Sequence, residues 1–207
     1  MHLKIITDVS SELITVAEAA TFMRIDDNGD SPATYPEQSL IEALITAARQ
    51  QTEEYLYRRI GIQTLELTFD GFPTVNYKGI KLPAPLIATS PVSSFTYLDT
   101  EGVSQTMVLD TDYVLSIDAE PPEIRPKDGY WPIAQNKPDS VRIRFQCGYQ
   151  NAGSPTQAPT LPQTIRTGML MLIADMHENR EAQVEKPLTM NKTVERLLSQ
   201  YRLEMGL

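Results

Sequence analysis

The feature that most constrains this chain is a change of hydrophobic period at Gly61. Before it, from Glu37 to Arg59, Leu40, Ile41, Leu44, Ile45, Ala48, Tyr55 and Leu56 recur at helical spacing on one stripe, with Thr52 the only polar interruption. After it, Leu65, Leu67 and Phe69 alternate with Thr64, Glu66 and Thr68, the two-residue period of a half-buried strand. No single element satisfies both periods, so a long amphipathic helix must end near the glycine and a sheet begin. At ~1.5 Å per residue such a helix spans roughly 34 Å, the width of a small domain.

The ends of this helix carry the usual signals. Thr34 with Glu37 forms a capping box, Pro36 falls in the first turn, and Arg58 and Arg59 suit the negative end of the helix dipole. Glu42, Arg49, Glu53 and Glu54 occupy the other face, which the pattern assigns to solvent or a polar partner, with Glu54 and Arg58 spaced as an ion pair. A second helix repeats the start signal in Thr160-Leu161-Pro162-Gln163 and sets Ile165, Met169, Leu172, Ile173 and Met176 on one face. Its apolar residues spread nearly all round, which predicts burial on most sides, but the run is shorter than the ~18 residues of a membrane span. A short helix, Val16 to Ile25, opens on a third capping box, Thr15 with Glu18, and a final helix from Asn191 to Met205 carries Val194, Leu197, Leu198, Tyr201 and Met205 on one face.

Between the helices, alternating runs at Gly79 to Leu82, Val92 to Leu98, Gln105 to Leu109, Tyr113 to Ile117 and Val141 to Gln146 join the strand after Gly61. Asp99-Thr100-Glu101-Gly102 reads as a hairpin loop between two of them. The predicted fold class is therefore α+β: a helical bundle formed by the N- and C-terminal helices, residues 1–61 and 161–207, with a small antiparallel β unit inserted at 62–149 and a linker at 150–160.

With 207 residues, 41% of them hydrophobic and 22% charged, the chain can fill one substantial core or two smaller ones. A net charge of −9 and the lack of any basic run argue against static nucleic-acid binding, which rests on clustered Lys and Arg. The start lacks a secretory apolar core, and one cysteine, Cys147, forms no internal disulfide, which points to a reducing, intracellular place of assembly.

Catalytic signals are sparse. His2 and His177 are the only histidines, no nucleophile elbow or phosphate-cradling loop occurs, and the ligands for a metal site do not cluster. No catalytic residue, cofactor or metal is expected. The aspartates around Gly29 resemble a calcium loop, but aligning that glycine puts Arg24 and Tyr35 at the two end positions where carboxylates are required, so a solvated turn is expected. His177-Glu178-Asn179-Arg180-Glu181 could form an acid–base patch, but consecutive residues point in different directions round a helix. The proline-rich stretch from Ala119 to Asp139 holds the only tryptophan. Tyr130, Trp131 and Ile133 are candidate contacts with another chain; alternatively, Trp131 folds back as a lid on the β unit.

Several of these stretches together resemble the head-to-tail connector, or adaptor, family of tailed bacteriophages. They are Thr15-Val16-Ala17-Glu18-Ala19 through Asp26; Leu40 through Ala47-Ala48-Arg49 to Glu53-Glu54-Tyr55; Leu82-Pro83-Ala84-Pro85-Leu86 with Pro91-Val92; Cys147-Gly148-Tyr149; and Pro162 through Glu181. The resemblance implies a structural virion protein of the neck, assembled in the host cytoplasm, with no active site and no membrane contact. It would form a homo-oligomeric ring of about a dozen copies beneath the portal protein, extending the DNA channel and offering a platform to a tail or head-closure protein. DNA would pass through without sequence-specific binding, which an acidic chain suits. The family resemblance also implies portal contact through the C-terminal segment, here Val194, Leu197, Leu198, Tyr201 and Met205. The competing classes are a monomeric β-type binding module and a small hydrolase using His177 and Glu178.

Overall fold

The computed structural model describes residues 2–73, 79–88, 91–152, 158–179 and 191–203. In chain order the elements are β1 (His2–Thr7), α1 (Val16–Met23), α2 (Gln38–Leu56), β2 (Gln63–Phe69), β3 (Ile80–Lys81), β4 (Val92–Leu98), β5 (Ser104–Thr106), β6 (Tyr113–Ser116), β7 (Glu123–Pro126), β8 (Val141–Cys147), α3 (Gln163–Glu178) and α4 (Lys192–Ser199). The fold is mixed α+β, and every strand pairing within its two sheets is antiparallel. Among the described residues, no helix is long and apolar enough to cross a membrane.

The period change at Gly61 is the switch from α2 to β2. Ile41, Ile45, Ala48 and Leu56 of α2 are buried against Ile165, Met169 and Ile173 of α3, with Ala19 and Ala20 of α1 and Val194 and Leu198 of α4 completing one apolar cluster. Leu44 lies at its edge, only partly buried. At about 1.5–3 kcal/mol per buried aliphatic side chain, this stripe is what holds the helices together.

A second cluster belongs to the sheets. Strand β8 is central in the order β1-β2-β8-β4-β5, and its alternation is complete, with Val141, Ile143, Phe145 and Cys147 buried and Arg142, Arg144 and Gln146 outward. On the outward face Glu66 of β2 accepts from Arg144 at 2.7 Å, across the Glu66–Arg144 register pair. A smaller sheet, in the order β3-β7-β6, adds Ile80, Ile124 and Tyr113 to the same interior.

Two strands escape the sequence pattern. Strand β1, a polar lead in the sequence, pairs along β2 from His2 opposite Thr68 to Ile5 opposite Leu65. As an edge strand with Ile5 and Ile6 both exposed, it never shows the alternation that marks a half-buried strand. Strand β7 lies inside the proline-rich 119–139 stretch and is the middle strand of its sheet; Pro126 closes it, where a missing N–H is cheap.

Capping is also only partly as the sequence suggests. Thr15 does cap α1, accepting from the Glu18 N–H at 3.1 Å. For α2 the box fails: Glu37 sits in the left-handed region at φ 55°, no side chain caps the helix, and the Thr34 hydroxyl donates to Asp30 instead. For α3 it fails because Thr160 runs extended beside Gln150, with the Leu161 N–H donating to the Gln150 carbonyl, so the helix starts uncapped after Pro162.

Where the chain leaves α2 and where it returns from β8, two glycines meet back to back. A Cβ on Gly148, whose φ is +132°, would lie 2.1 Å from the Gly61 carbonyl oxygen, and one on Gly61 would strike Val9 at 2.5 Å. Only glycine serves at this crossing.

Candidate assembly surfaces

The end of α2 is organised by buried charge. The sequence pattern puts Arg49 and Glu53 on the solvent face, but they are 4% and 6% exposed. Arg49 lies 3.0 Å from Glu12, 3.4 Å from Glu53 and 3.7 Å from Asp8. Glu53 in turn accepts from the Ile60 N–H at 2.9 Å and the Gln63 amide at 2.8 Å. Burial alone would lower the Arg49 pKa; Glu53, Glu12 and Asp8 outweigh it and hold the guanidinium above its ordinary value. A helical wheel equates polarity with exposure, and the partners of these two residues come from segments remote in sequence. The one available signal was that Arg49 and Glu53 flank Ala48 and Thr52 on the buried stripe.

Arg58 was expected to pair with Glu54, but it turns inward. Its Nε donates to the Tyr201 carbonyl at 2.5 Å, and its terminal nitrogens meet Glu120 at 2.7 and 3.1 Å and the Tyr149 hydroxyl at 3.4 Å. That hydrogen bond holds the Glu120 carboxyl below its ordinary pKa, against a smaller opposing effect of burial. Burial pushes the Tyr149 hydroxyl and, more strongly, the Cys147 thiol upward. One side chain thus ties the end of α2, the loop before β7 and the segment after α4.

The candidate contact residues fall into two groups. Trp131 is 8% exposed and stacks on Phe72 at 5.0 Å with the rings 8° from parallel, beside Phe95 at 6.0 Å. It closes its own chain's β interior, as a lid would. Its neighbours Tyr130 and Ile133 face outward, 64% and 77% exposed. In α4, Val194 and Leu198 are buried on the chain's own helices, and Gly168 of α3 lets Leu198 approach to where a Cβ would be 3.0 Å away. Leu197 and Tyr201 are part-exposed. Met205, and the 181–187 loop expected to let the helix swing, lie outside the described residues.

His177, near the end of α3, faces Glu37 at 3.8 Å across the α2–α3 contact. Arg180 and Glu181 of the same polar stretch lie outside the described residues. Among those described, no group of three or more His, Cys, Asp or Glu could hold a metal ion.

The remaining exposed large apolar side chains, Phe22 aside, gather in two places. Ile5, Ile6 and Tyr57 lie near β1, while Val103, Val108, Leu109 and Val114 join Tyr130 and Ile133 around β5 and β6. Single exposed apolar residues are ordinary, but grouped ones mark surfaces that other molecules cover. Beside β1 a groove of about 440 Å³ is lined by Leu3, Ile5, Tyr57 and Pro83 together with the charged residues at the end of α2.

No family model and no curated protein matches the chain. Solved structures do share its fold along its whole length. A chain in the virion of a native gene transfer agent particle is similar with a TM-score of 0.75 and 20% identity, covering 100% of this chain and 98% of that one. Chains in the neck of the empty particle, computed with C6 symmetry, and of the native particle, computed with C12 symmetry, give TM-scores of 0.74 and 0.69 at the same identity and coverage. The fold is therefore one found in the neck of a gene transfer agent particle.

Proposed function

We propose that this chain is a structural protein of a virion neck, a head-to-tail connector that assembles as a ring beneath the portal and carries no enzymatic activity. The observation that carries this reading is the end-to-end likeness to neck chains, since 100% of this chain is matched and 98% of the other. The neck structures computed with C6 and C12 symmetry support a ring, with about twelve copies as its size. In that ring the helices before Gly61 and after Thr160 act as one discontinuous unit, from which the 62–149 β unit projects. The acidic balance of the chain, −9 overall, suits a channel through which DNA slides without being gripped.

Two contacts follow from the exposed residues. Tyr130 and Ile133 meet a neighbouring copy or a tail or head-closure protein, with Trp131 holding their loop from beneath. The C-terminal segment meets the portal through Leu197 and Tyr201, because Val194 and Leu198 are already occupied within the chain. Electron microscopy of particles from cells in which this chain has been deleted tests the reading. Filled heads without tails are expected; complete tailed particles would overturn it.

A further inference from the structure

The β1 and β5 edges of the five-stranded sheet each have exposed apolar residues beside them, and the two edges differ in charge. At the β1 end, Leu3 and Ile5 face the groove closed by Tyr57 and Pro83, and the charges lining it balance, Arg49, Arg58 and Arg59 against Asp8, Glu53 and Glu54. Lys4 alternates to the other face of β1, opposite Glu66, while Arg202 lies 5.4 Å over the ring of Tyr57 that closes the groove. At the β5 end, the stretch 99–112 carries Asp99, Glu101, Asp110 and Asp112 and no Lys or Arg, with Val108 and Leu109 exposed on its turn. The nearby cation Lys127 donates to the Asp110 carbonyl, not to a carboxylate.

Lys137 and Arg142 lie beside Ser104 of β5, but the turn that presents Val108 and Leu109 carries Asp110 and Asp112, so two such turns do not pair symmetrically. The turn has no such conflict with a charge-balanced apolar groove beside Arg202. Copies that rotate about one axis must also join through two different surfaces, one on each side. We propose that neighbouring copies of this chain join head to tail, with Val108 and Leu109 of the 99–112 turn of one copy seated in the groove between β1 and Tyr57 of the next. This rests on the ring reading and names the contact that closes the ring.

The contact is made by side chains and does not continue the sheet. Strands twist by about 20–25° at each step, so β1 and β5, four steps apart, lie roughly 80–100° from each other. Copies in a twelve-fold ring differ by only one-twelfth of a turn, so the β5 of one copy would cross the β1 of the next steeply. A shared ladder needs nearly aligned strands.

Paired cysteine variants test the contact in assembled particles. Cys147 is buried and does not interfere. Ile5 and Val108 are 45% and 51% exposed, so Ile5→Cys and Val108→Cys leave the core filled. Under mild oxidation, particles carrying both variant chains should yield cross-linked dimers, and a chain with both substitutions a ladder of multimers, whereas either single variant alone should yield none. Particles that contain the chain but show no mixed cross-link, or that link Ile5→Cys to itself, overturn the head-to-tail contact and leave the neck assignment standing. Wild-type particles that lack the chain altogether overturn the neck assignment and the contact with it.

Discussion

Around α2 and α3 the interior encloses charge: Arg49 and Glu53 are buried beside Ile45 and Ala48, and the Thr52 hydroxyl between them has no hydrogen-bond partner. Around β2, β4 and β8 the interior is apolar and aromatic, with Phe95 between Tyr113 at 5.1 Å and Trp131 at 6.0 Å. The first region fixes positions by partners that must be present, since a buried charge without its counter-charge is costly. The second fixes them by shape, and aromatic pairs add only about 0.5–1.5 kcal/mol beyond the area they bury. The helical region therefore joins segments remote in sequence, 8–12, 49–63 and 201, through named atoms, while the sheet region fills a volume.

Four substitutions probe this contrast, the largest first. Arg49→Met should remove the buried cation shared by Glu53 and Glu12, leaving Glu53 with Arg59 at 3.3 Å and Glu12 with the Thr46 hydroxyl, and cost about 3 kcal/mol in urea unfolding; a loss under about 1 kcal/mol would mean that water already serves these carboxylates. Trp131→Ala should cost about 3 kcal/mol by emptying the space over Phe72 and Phe95. If stability held and only particle assembly suffered, Trp131 would belong to an interface and the sheet core would be smaller than described. Thr52→Val keeps the shape and removes the unsatisfied hydroxyl, so the melting temperature should rise, by about 1 kcal/mol in stability terms; a decrease would show that the hydroxyl is bonded in solution.

The smallest effect is a pH dependence at Glu120. Its folded pKa lies below the unfolded value, so the unfolded chain takes up this proton first as acid is added. The stabilisation from Arg58 is complete above the ordinary glutamate pKa of about 4.3 and disappears as pH falls through the lower folded value. With the Glu120 side chain 64% exposed, the effect is screened and small. Melting curves of wild type and Glu120→Gln should differ at pH 7 and draw together as the pH falls below the ordinary glutamate value of about 4.3. A gap that stays constant across that range would remove Glu120 from the account.

The contrast also explains what could be read from the sequence. Apolar periodicity located α2, α3, β2, β4 and β8, because burial of one face sets their pattern. The signals that failed were those that assume local partners. Thr34 and Thr160 have the spacing of caps, but the Thr34 hydroxyl donates to Asp30, Thr160 is held extended by the bonds of its neighbours Pro159 and Leu161 to Gln150, and Arg58 ignores Glu54 for Glu120, 62 residues away. Strand β1 lies at an edge with its apolar side chains outside, so no alternation betrays it. Of the candidate contact residues, the aromatic cluster was found by type, while its division into an inward Trp131 and an outward Tyr130 and Ile133 depended on Phe72, which nothing in the local sequence announces.

The back-to-back glycines at 61 and 148 bear on how such a chain could change over time. Because the outgoing and returning segments touch at one point, everything between them is an excursion whose two ends coincide. Lengthening the exposed 99–102 hairpin leaves the helices undisturbed, whereas an exchange of the whole excursion must also keep a partner for β1 and a carboxylate for the buried Arg58. Gly148→Ala has no such freedom: it drives a methyl group into the Gly61 carbonyl and would pry apart the doorway through which the excursion leaves and returns.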